Sequence, residues 1–173
     1  VVILHPTSWN KRVVIWVDEA GKSGLFGDDG ALTAEVNQLL ASGTAVVGAD
    51  LLYQGEFLKE GQQITENRRV DNPREFAGYT YGYNHPLFAQ RAHDVLTLIA
   101  FCTTYANEKP QIDLVGLGAA GAWTAAARAQ AGQVVARAAI DTGGFRFARL
   151  TSFRDANFLP GAVKYGDLPG MLS

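Results

Sequence analysis

The sequence carries little basic charge and no long apolar run. Its 173 residues include 15 Lys and Arg against 17 Asp and Glu, for a net charge of -2, and no basic run is longer than two residues. Without a basic field the chain has no electrostatic means of collecting phosphates, so we expect no nucleic-acid partner. No apolar stretch approaches the ~20 residues that a membrane-spanning helix needs, so we expect no membrane partner.

Cysteine and histidine are scarce, which limits metal and redox chemistry. The single cysteine, Cys102, excludes an internal disulfide and lies in an apolar pattern typical of a buried, inert thiol. No cluster of histidine, cysteine and carboxylate has the spacing of metal ligands, so no metal site is predicted. Adjacent carboxylates occur at Asp18-Glu19 and at Asp28-Asp29. We expect the second pair to cap the helix that follows it.

The two ends of the chain are typical of a piece of a longer protein. The sequence opens on Val1 without a signal-peptide pattern and stops at Ser173 without an evident terminal helix. We therefore expect residues 1–173 to form a single domain that is truncated at one or both ends. The compartment is unknown from the sequence, and a secreted or periplasmic location is expected only if the chain is processed.

Four apolar segments alternate with helical patterns along the chain. The predicted strands are 12–17, 44–49, 112–115 and 134–140, and the predicted helices are 32–40, 85–107 and 119–131. Gly43 stands where a helix ends in the left-handed conformation, and Pro86 suits the first turn of the long helix. Short buried strands in the order βαβαβαβ predict a mostly parallel sheet with helices on both faces, which is a three-layer α/β domain.

Two regions show no sustained period. In residues 51–84, Tyr79, Tyr81 and Tyr83 alternate at period two, which would place their rings on one face. Such rings suit stacking on a sugar or burial against a second subunit, so we predict that they bind substrate or form a homo-oligomer. The alternative is that they cover the domain's own long helix. The second region, 142–170, mixes Phe and Arg and is either a surface loop or the rim of a pocket.

The segment Asp113–Trp123 supports two interpretations of the same glycines. In the first, Gly116-x-Gly118-x-x-Gly121 between a strand and a helix is a dinucleotide fingerprint, and Asp141, about 20 residues further on, binds a ribose hydroxyl. This interpretation predicts an oxidoreductase module with NAD as cofactor. Against it, at least two strand-helix units precede the motif, whereas a Rossmann half begins with that strand.

In the second interpretation the turn is a nucleophile elbow whose serine is missing. It follows earlier strand-helix units and directly precedes a helix, as an elbow does. Gly118 then occupies the nucleophile slot without a side-chain oxygen. The backbone N–H groups of Ala119 and of Glu19, which follows the first strand, are the candidates for an oxyanion hole.

Four segments resemble the acetyl xylan esterase-like branch of the α/β-hydrolase fold. They are Val13–Lys22, Val47–Glu56, Thr80–Leu87 and Arg91–Asp94, and the glycine turn stands where the serine-bearing elbow of that family belongs. The resemblance covers nearly the whole chain. It implies hydrolysis of a small-molecule or carbohydrate ester by a serine, a histidine and an acid, for which Asp141 is the candidate, without a cofactor.

The chain departs from that family pattern at two positions. Gly118 offers no hydroxyl, and no histidine follows His93, although a triad in this fold takes its histidine near the C-terminus. We expect His85 and His93 to cap or pack at the start of the long helix and His5 to lie on the surface. The sequence therefore predicts an esterase-family protein that is poorly active or inactive as this chain. A dinucleotide-binding module and a non-catalytic assembly or carbohydrate-binding protein are the two alternatives.

Overall fold

A five-stranded mixed sheet forms the centre of the structure. The computed structural model describes residues 1–59, 62, 64–68, 76–105 and 108–172. Its strands are β1 (Val2–Leu4), β2 (Arg12–Val17), β3 (Ala45–Gly48), β4 (Gln111–Gly116) and β5 (Val135–Ile140), in the sheet order β1-β3-β2-β4-β5. β1 runs antiparallel to β3, and the other neighbouring strands are parallel.

Helices lie on both faces of this sheet. The α-helices are α1 (Ala34–Ala41), α2 (Ala77–Tyr81), α3 (Leu87–Thr103), α4 (Ala120–Ala131) and α5 (Asp167–Met171), and short 3-10 helices span Gly21–Leu25, Gly55–Phe57, Gly132–Val134, Phe147–Arg149 and Ala162–Tyr165. α3, α4 and α5 pack on one face and α1 on the other. The predicted three-layer α/β class is therefore confirmed. Within the described residues, no helix combines the length and apolarity that crossing a membrane requires.

The predicted elements agree with the observed ones to within a few residues. β2 has the predicted bounds, and α4 begins one residue later than predicted. The predicted helix 85–107 is α3, for which Pro86 is the N-cap, and residues 106 and 107 lie outside the described part of the chain. Gly43 has a φ of +84°, the left-handed conformation that the prediction required after α1.

The start of α1 differs from the prediction. Asp28 and Asp29 do not cap this helix, because its N-cap is Thr33, whose hydroxyl accepts the backbone N–H of Val36 at 3.4 Å. Asp29 instead accepts the N–H of Ala31 at 3.0 Å inside the preceding turn. Thr33, which directly precedes the helix, therefore caps it in place of the carboxylate pair.

The core lies mainly on the face of α3 and α4. Val13 and Val17 of β2 are fully or almost fully buried there, together with Phe88 and Trp123. Each large apolar side chain buried in this way contributes roughly 1.5–3 kcal/mol, so this face supplies most of the hydrophobic stabilisation. Cys102 lies in the same cluster, which confirms its predicted burial. Burial raises the pKa of its thiol to about 12, and a thiol with so high a pKa is a poor nucleophile.

An ion cluster joins three strands on the opposite face. The Asp113 side chain in β4 is 8% exposed and accepts hydrogen bonds from Arg12 of β2 at 3.0 Å and from Arg137 of β5 at 2.7 Å. Burial alone would raise the pKa of Asp113, but the hydrogen bonds from the two arginines outweigh it and hold the pKa below its ordinary value of 3.8. The cluster therefore stabilises the sheet while Asp113 is ionised.

Candidate functional site

Two loops meet at the carboxyl edge of the sheet. β2 and β4 are parallel neighbours, so the loop that begins with Asp18 and the turn that begins with Leu117 leave the sheet side by side. The N–H of Leu117 donates to the carbonyl of Val17 at 3.0 Å, which fixes the turn against the end of β2. Gly118 follows with a φ of +60°, in the left-handed region, and α4 begins two residues later. The chain thus makes the sharp strand-to-helix turn that both interpretations of the glycines require.

The carboxylate of Glu19 occupies this turn. Its Oε2 accepts the backbone N–H of Ala119 at 2.9 Å. A Cβ built on Gly118 would lie 2.6 Å from both Cδ and Oε2 of Glu19, which is closer than real Cβ atoms approach. The carboxylate therefore fills the space of a side chain at residue 118 and also takes the hydrogen bond that the N-terminus of α4 offers to an anion.

This arrangement bears on the predicted oxyanion hole. The sequence assigned the backbone N–H of Glu19 to the hole, whereas the structure brings the Glu19 side chain onto the other donor, the N–H of Ala119. The next amide along the loop, that of Ala20, donates to the carboxylate of Asp18 at 2.8 Å. The convergence of the Ala119 and Glu19 amides on one oxygen stays a prediction.

The other glycines of the motif are required by packing. A Cβ on Gly116 would lie 2.7–2.9 Å from three side-chain atoms of Thr124, whose hydroxyl donates back to the carbonyl of Ala120. A Cβ on Gly121 would overlap the backbone carbonyl of Asp141. α4 can therefore lie against the ends of β4 and β5 only because residues 116 and 121 have no side chain.

Asp141 lies next to the turn, as both interpretations require. It directly follows β5, and its N–H donates to the carbonyl of Gly116 at 2.9 Å. Its carboxylate is exposed and accepts the N–H of Gly143 at 2.8 Å. Because adjacent parallel strands bring these residues together in either case, the position of Asp141 does not discriminate a ribose-binding residue from the acid of a triad.

A polar cavity of about 710 Å³ opens beside the turn. The residues that line it come from the loops after β2 and β3, from α3 and α4, and from residues 155–157; they include Glu19, Tyr53, Gln54, Trp123, Asp155 and Asn157. The volume of this cavity and its place outside the carboxyl edge of a parallel sheet are those of a small-molecule site, and its lining is more polar than is usual for one. It is the best candidate for a functional site among the described residues.

A buried arginine holds one wall of this cavity together. Arg91 of α3 is 6% exposed and donates to the carbonyls of Leu52 at 3.0 Å and Tyr53 at 3.1 Å. Its guanidinium lies 4.2 Å from the centre of the Trp123 ring, whose N–H donates to Asn157 at 2.8 Å. Burial lowers the pKa of Arg91 to about 10, so the guanidinium is still protonated at neutral pH.

The predicted tyrosine row does not have the predicted geometry. Tyr79 and Tyr81 lie in α2, a helix, so their rings do not share the face that a strand would give them. The hydroxyl of Tyr81 donates to the carbonyl of Phe153 at 2.5 Å, and burial, with the nearby charge of Asp155, raises the pKa of Tyr81 to about 12. Tyr83 is 84% exposed. None of these three tyrosines is among the described residues that line the cavity. Their roles in substrate binding and in oligomerisation stay predictions.

The histidines lie away from the turn. His85 precedes α3 and His93 lies within it; both are exposed and line a second cavity of about 670 Å³ with Phe57 and Asp94. Of the two predicted roles for these histidines, capping is wrong, because Pro86 is the N-cap of α3 and no side chain caps it; packing at the start of the helix stays a prediction. His5 is exposed and contacts the ring of Trp9 with a centroid distance of 5.4 Å, in agreement with the predicted surface position.

The sequence prediction missed the residues that build the cavity wall. Tyr53 and Gln54 lie in the region without a period, where no pattern assigns a role to single residues. Arg91 carried a usable signal, because it interrupts the apolar face of a predicted helix between Phe88 and Val95. A charged residue at such a position is buried with partners or marks a site.

Comparisons with known proteins find a likeness among solved structures and none among families or curated proteins. No protein-family model and no curated protein matches the chain. Among solved structures it is similar to that of Est1E from Butyrivibrio proteoclasticus with bound ferulic acid, at 14% identity and a TM-score of 0.48. The likeness covers 79% of this chain and 45% of Est1E, so the chain spans less than half the length of that protein.

Proposed function

We propose that this chain is the ligand-binding core of a carboxylic-ester hydrolase-type protein of the carbohydrate acetyl type, and that it binds a carbohydrate ester without hydrolysing it. The observation that carries the proposal is the Glu19 carboxylate on the N–H of Ala119, in the space of the missing side chain at Gly118. The turn keeps the shape of a nucleophile elbow, but a carboxylate fills the place of the nucleophile.

The absence of turnover follows from the chemistry of acyl transfer. An acyl-enzyme needs a side-chain oxygen or sulfur at the turn and a base within hydrogen-bond reach of it. Gly118 supplies no such atom, and the sequence has no histidine after His93. The one thiol, Cys102, is buried in the core with a raised pKa. We therefore expect binding and specificity to persist where covalent catalysis does not.

The charge of the cavity favours a neutral, polyhydroxylated ligand. Glu19 and Asp155 present carboxylates, whereas the guanidinium of Arg91 in the cavity wall is buried and already donates to two backbone carbonyls. Asn157 presents an amide. Such acceptors and donors suit sugar hydroxyls. The pyrophosphate of a dinucleotide would have to displace the Glu19 carboxylate from Ala119 and would then face two like charges, so the ester hypothesis is preferred to NAD binding.

Binding and turnover can be measured separately on the intact chain. We expect calorimetric titration with an acetylated xylo-oligosaccharide to show binding, while p-nitrophenyl acetate is not hydrolysed above the background rate and a fluorophosphonate does not label the protein. Robust fluorophosphonate labelling would contradict the proposal. A micromolar Kd for NAD(H) that is lost in Asp141→Ala would overturn it in favour of the dinucleotide alternative.

A further inference from the structure

Tyr53 has a backbone conformation that its side chain disfavours. Its φ is +57°, and among the described residues only Lys11 and Asp167 share a positive φ without being glycine. Glycine adopts this conformation at no steric cost, and asparagine tolerates it better than other residues. The fold alone would therefore be served better by glycine or asparagine at residue 53. A strained residue in a cavity wall indicates that its side chain has another role.

The backbone on both sides of Tyr53 is held firmly. The N–H of Leu52 donates to Asp94 of α3 at 2.8 Å, and the carbonyls of Leu52 and Tyr53 accept from Arg91. Gln54 is buried and donates to the carbonyls of Asp18 and Glu19 at 3.1 and 3.0 Å. These bonds impose the strained conformation and fix the direction in which the ring leaves the chain.

The Tyr53 side chain has no hydrogen-bond partner and no aromatic partner within the described part of the chain. It lines the cavity and is 36% exposed, and no described residue makes a ring contact or a hydrogen bond with its side chain. Tyr81, in contrast, donates its hydroxyl to a backbone carbonyl and packs on Phe158 with a centroid distance of 5.4 Å. Tyr53 therefore presents a partly exposed aromatic ring at the cavity, on a backbone that hydrogen bonds hold in place.

We propose that Tyr53 is the residue on which a pyranose ring of the carbohydrate ester stacks. A tyrosine ring offers an apolar face for the C–H groups of a sugar and has few rotatable bonds to immobilise. Glu19 and Asp155, which line the same cavity, accept hydrogen bonds from the sugar hydroxyls that point away from the stacked face. This inference rests on the proposed function and assigns the sugar-contacting ring within it.

Three variants test the stacking role by calorimetric titration with acetylated xylotetraose. Tyr53→Asn removes the ring and suits the left-handed backbone, so we expect binding to weaken at least tenfold while Tm is unchanged or higher. Tyr53→Phe keeps the ring and should bind within threefold of the wild type. Tyr165→Asn, at an exposed tyrosine that does not line the cavity, is the matched control and should bind as the wild type does.

The outcomes separate this inference from the proposed function. If the wild type binds and Tyr53→Asn binds equally well, the stacking role is wrong and the proposed function stands. If Tyr53→Phe loses binding as fully as Tyr53→Asn, the hydroxyl and not the ring contacts the ligand, which also overturns the inference. If the wild type binds neither acetylated nor deacetylated xylotetraose, both the stacking role and the proposed function are wrong.

Discussion

Replacing Gly118 by serine tests whether the Glu19 carboxylate occupies the nucleophile slot. The new Cβ would lie 2.6 Å from Cδ and Oε2 of Glu19, so the carboxylate must leave. The Glu19 side chain is exposed and can take another rotamer without moving the backbone. Its departure breaks the hydrogen bond from the N–H of Ala119. The substitution also places a side chain on a residue whose φ is +60°.

The expected loss of stability combines two contributions. A non-glycine residue in the left-handed conformation costs roughly 1–2 kcal/mol. Loss of the Glu19 hydrogen bond adds about 1 kcal/mol, a low value because the bond is exposed to solvent. Gly118→Ser should therefore destabilise the protein by about 2–3 kcal/mol, and a loss of 1 kcal/mol corresponds to roughly 2–4 °C in Tm for a chain of this length.

A double-mutant cycle with Glu19→Ala isolates the contact between the two residues. Glu19→Ala alone should cost about 1 kcal/mol, because it removes the same hydrogen bond. In that background Gly118→Ser should cost only the conformational part, so the coupling free energy is about 1 kcal/mol. Urea unfolding of the four proteins measures it. If Gly118→Ser lowers the free energy of unfolding equally in the wild type and in Glu19→Ala, the carboxylate of Glu19 does not fill the space at residue 118.

The same variants test catalysis. Gly118→Ser supplies a hydroxyl but no base, so neither the single variant nor the one that also lacks the Glu19 carboxylate should hydrolyse p-nitrophenyl acetate appreciably. A clear gain of activity in Gly118→Ser alone would show that another residue of this chain serves as the base, and the argument from the missing histidine would be wrong.

Three further substitutions test the structure around the site. Asp113→Asn should destabilise the protein by about 1–2 kcal/mol at pH 7, because it removes the charge that accepts hydrogen bonds from two partly exposed arginines. The pKa of Asp113 is lower in the folded protein than its ordinary value of 3.8. Its contribution to the free energy of unfolding is therefore present above pH 3.8 and is lost as the pH falls below that value. Urea unfolding at pH 7 and pH 3 should accordingly show a smaller loss of stability in acid for the variant than for the wild type. Gly121→Ala should cost about 3 kcal/mol or more in urea unfolding, because its methyl group overlaps the Asp141 carbonyl, whereas Gly30→Ala meets open space and should cost only its conformational strain of about 1 kcal/mol. Arg91→Lys should weaken calorimetric binding of acetylated xylotetraose, because an ammonium cannot donate to both backbone carbonyls in the fixed geometry of a guanidinium; unchanged binding would show that these carbonyls need no such anchor.

The sheet and its long helices could be predicted from the sequence because burial imposes a period on them. β2 is buried along nearly its whole length and appears as a continuous apolar run, and α3 shows its apolar face at helical spacing. β1 could not be predicted, because three residues are too few to show a period and its place depends on pairing with β3. Strand order and the antiparallel edge are likewise set by tertiary contacts.

The cavity could be predicted only in part, because its residues come from segments far apart in the chain. The turn at Gly118 was recognisable, since a strand-to-helix turn needs small residues at fixed offsets. The tyrosine row was misinterpreted: α2 is only five residues long, so two periods fit the same few residues equally well. Tyr53 gave no local signal, because its strained backbone results from hydrogen bonds with Arg91 and Asp94 of α3.

The ambiguity of the glycine motif has a physical origin that no local pattern removes. Gly116 and Gly121 have no side chain because Thr124 and the Asp141 carbonyl occupy that space, and these packing demands arise wherever a helix follows a strand closely. A dinucleotide site and a nucleophile elbow share that requirement, so both produce the same glycines. What distinguishes them is the chemical group that meets the turn from elsewhere in the fold. In this chain that group is the carboxylate of Glu19, 100 residues away in the sequence and 2.9 Å from the amide nitrogen of Ala119. A carboxylate in that place opposes a pyrophosphate and, under the proposed function, takes the place of a nucleophile. Glu19 is therefore the residue whose substitution is most informative about function.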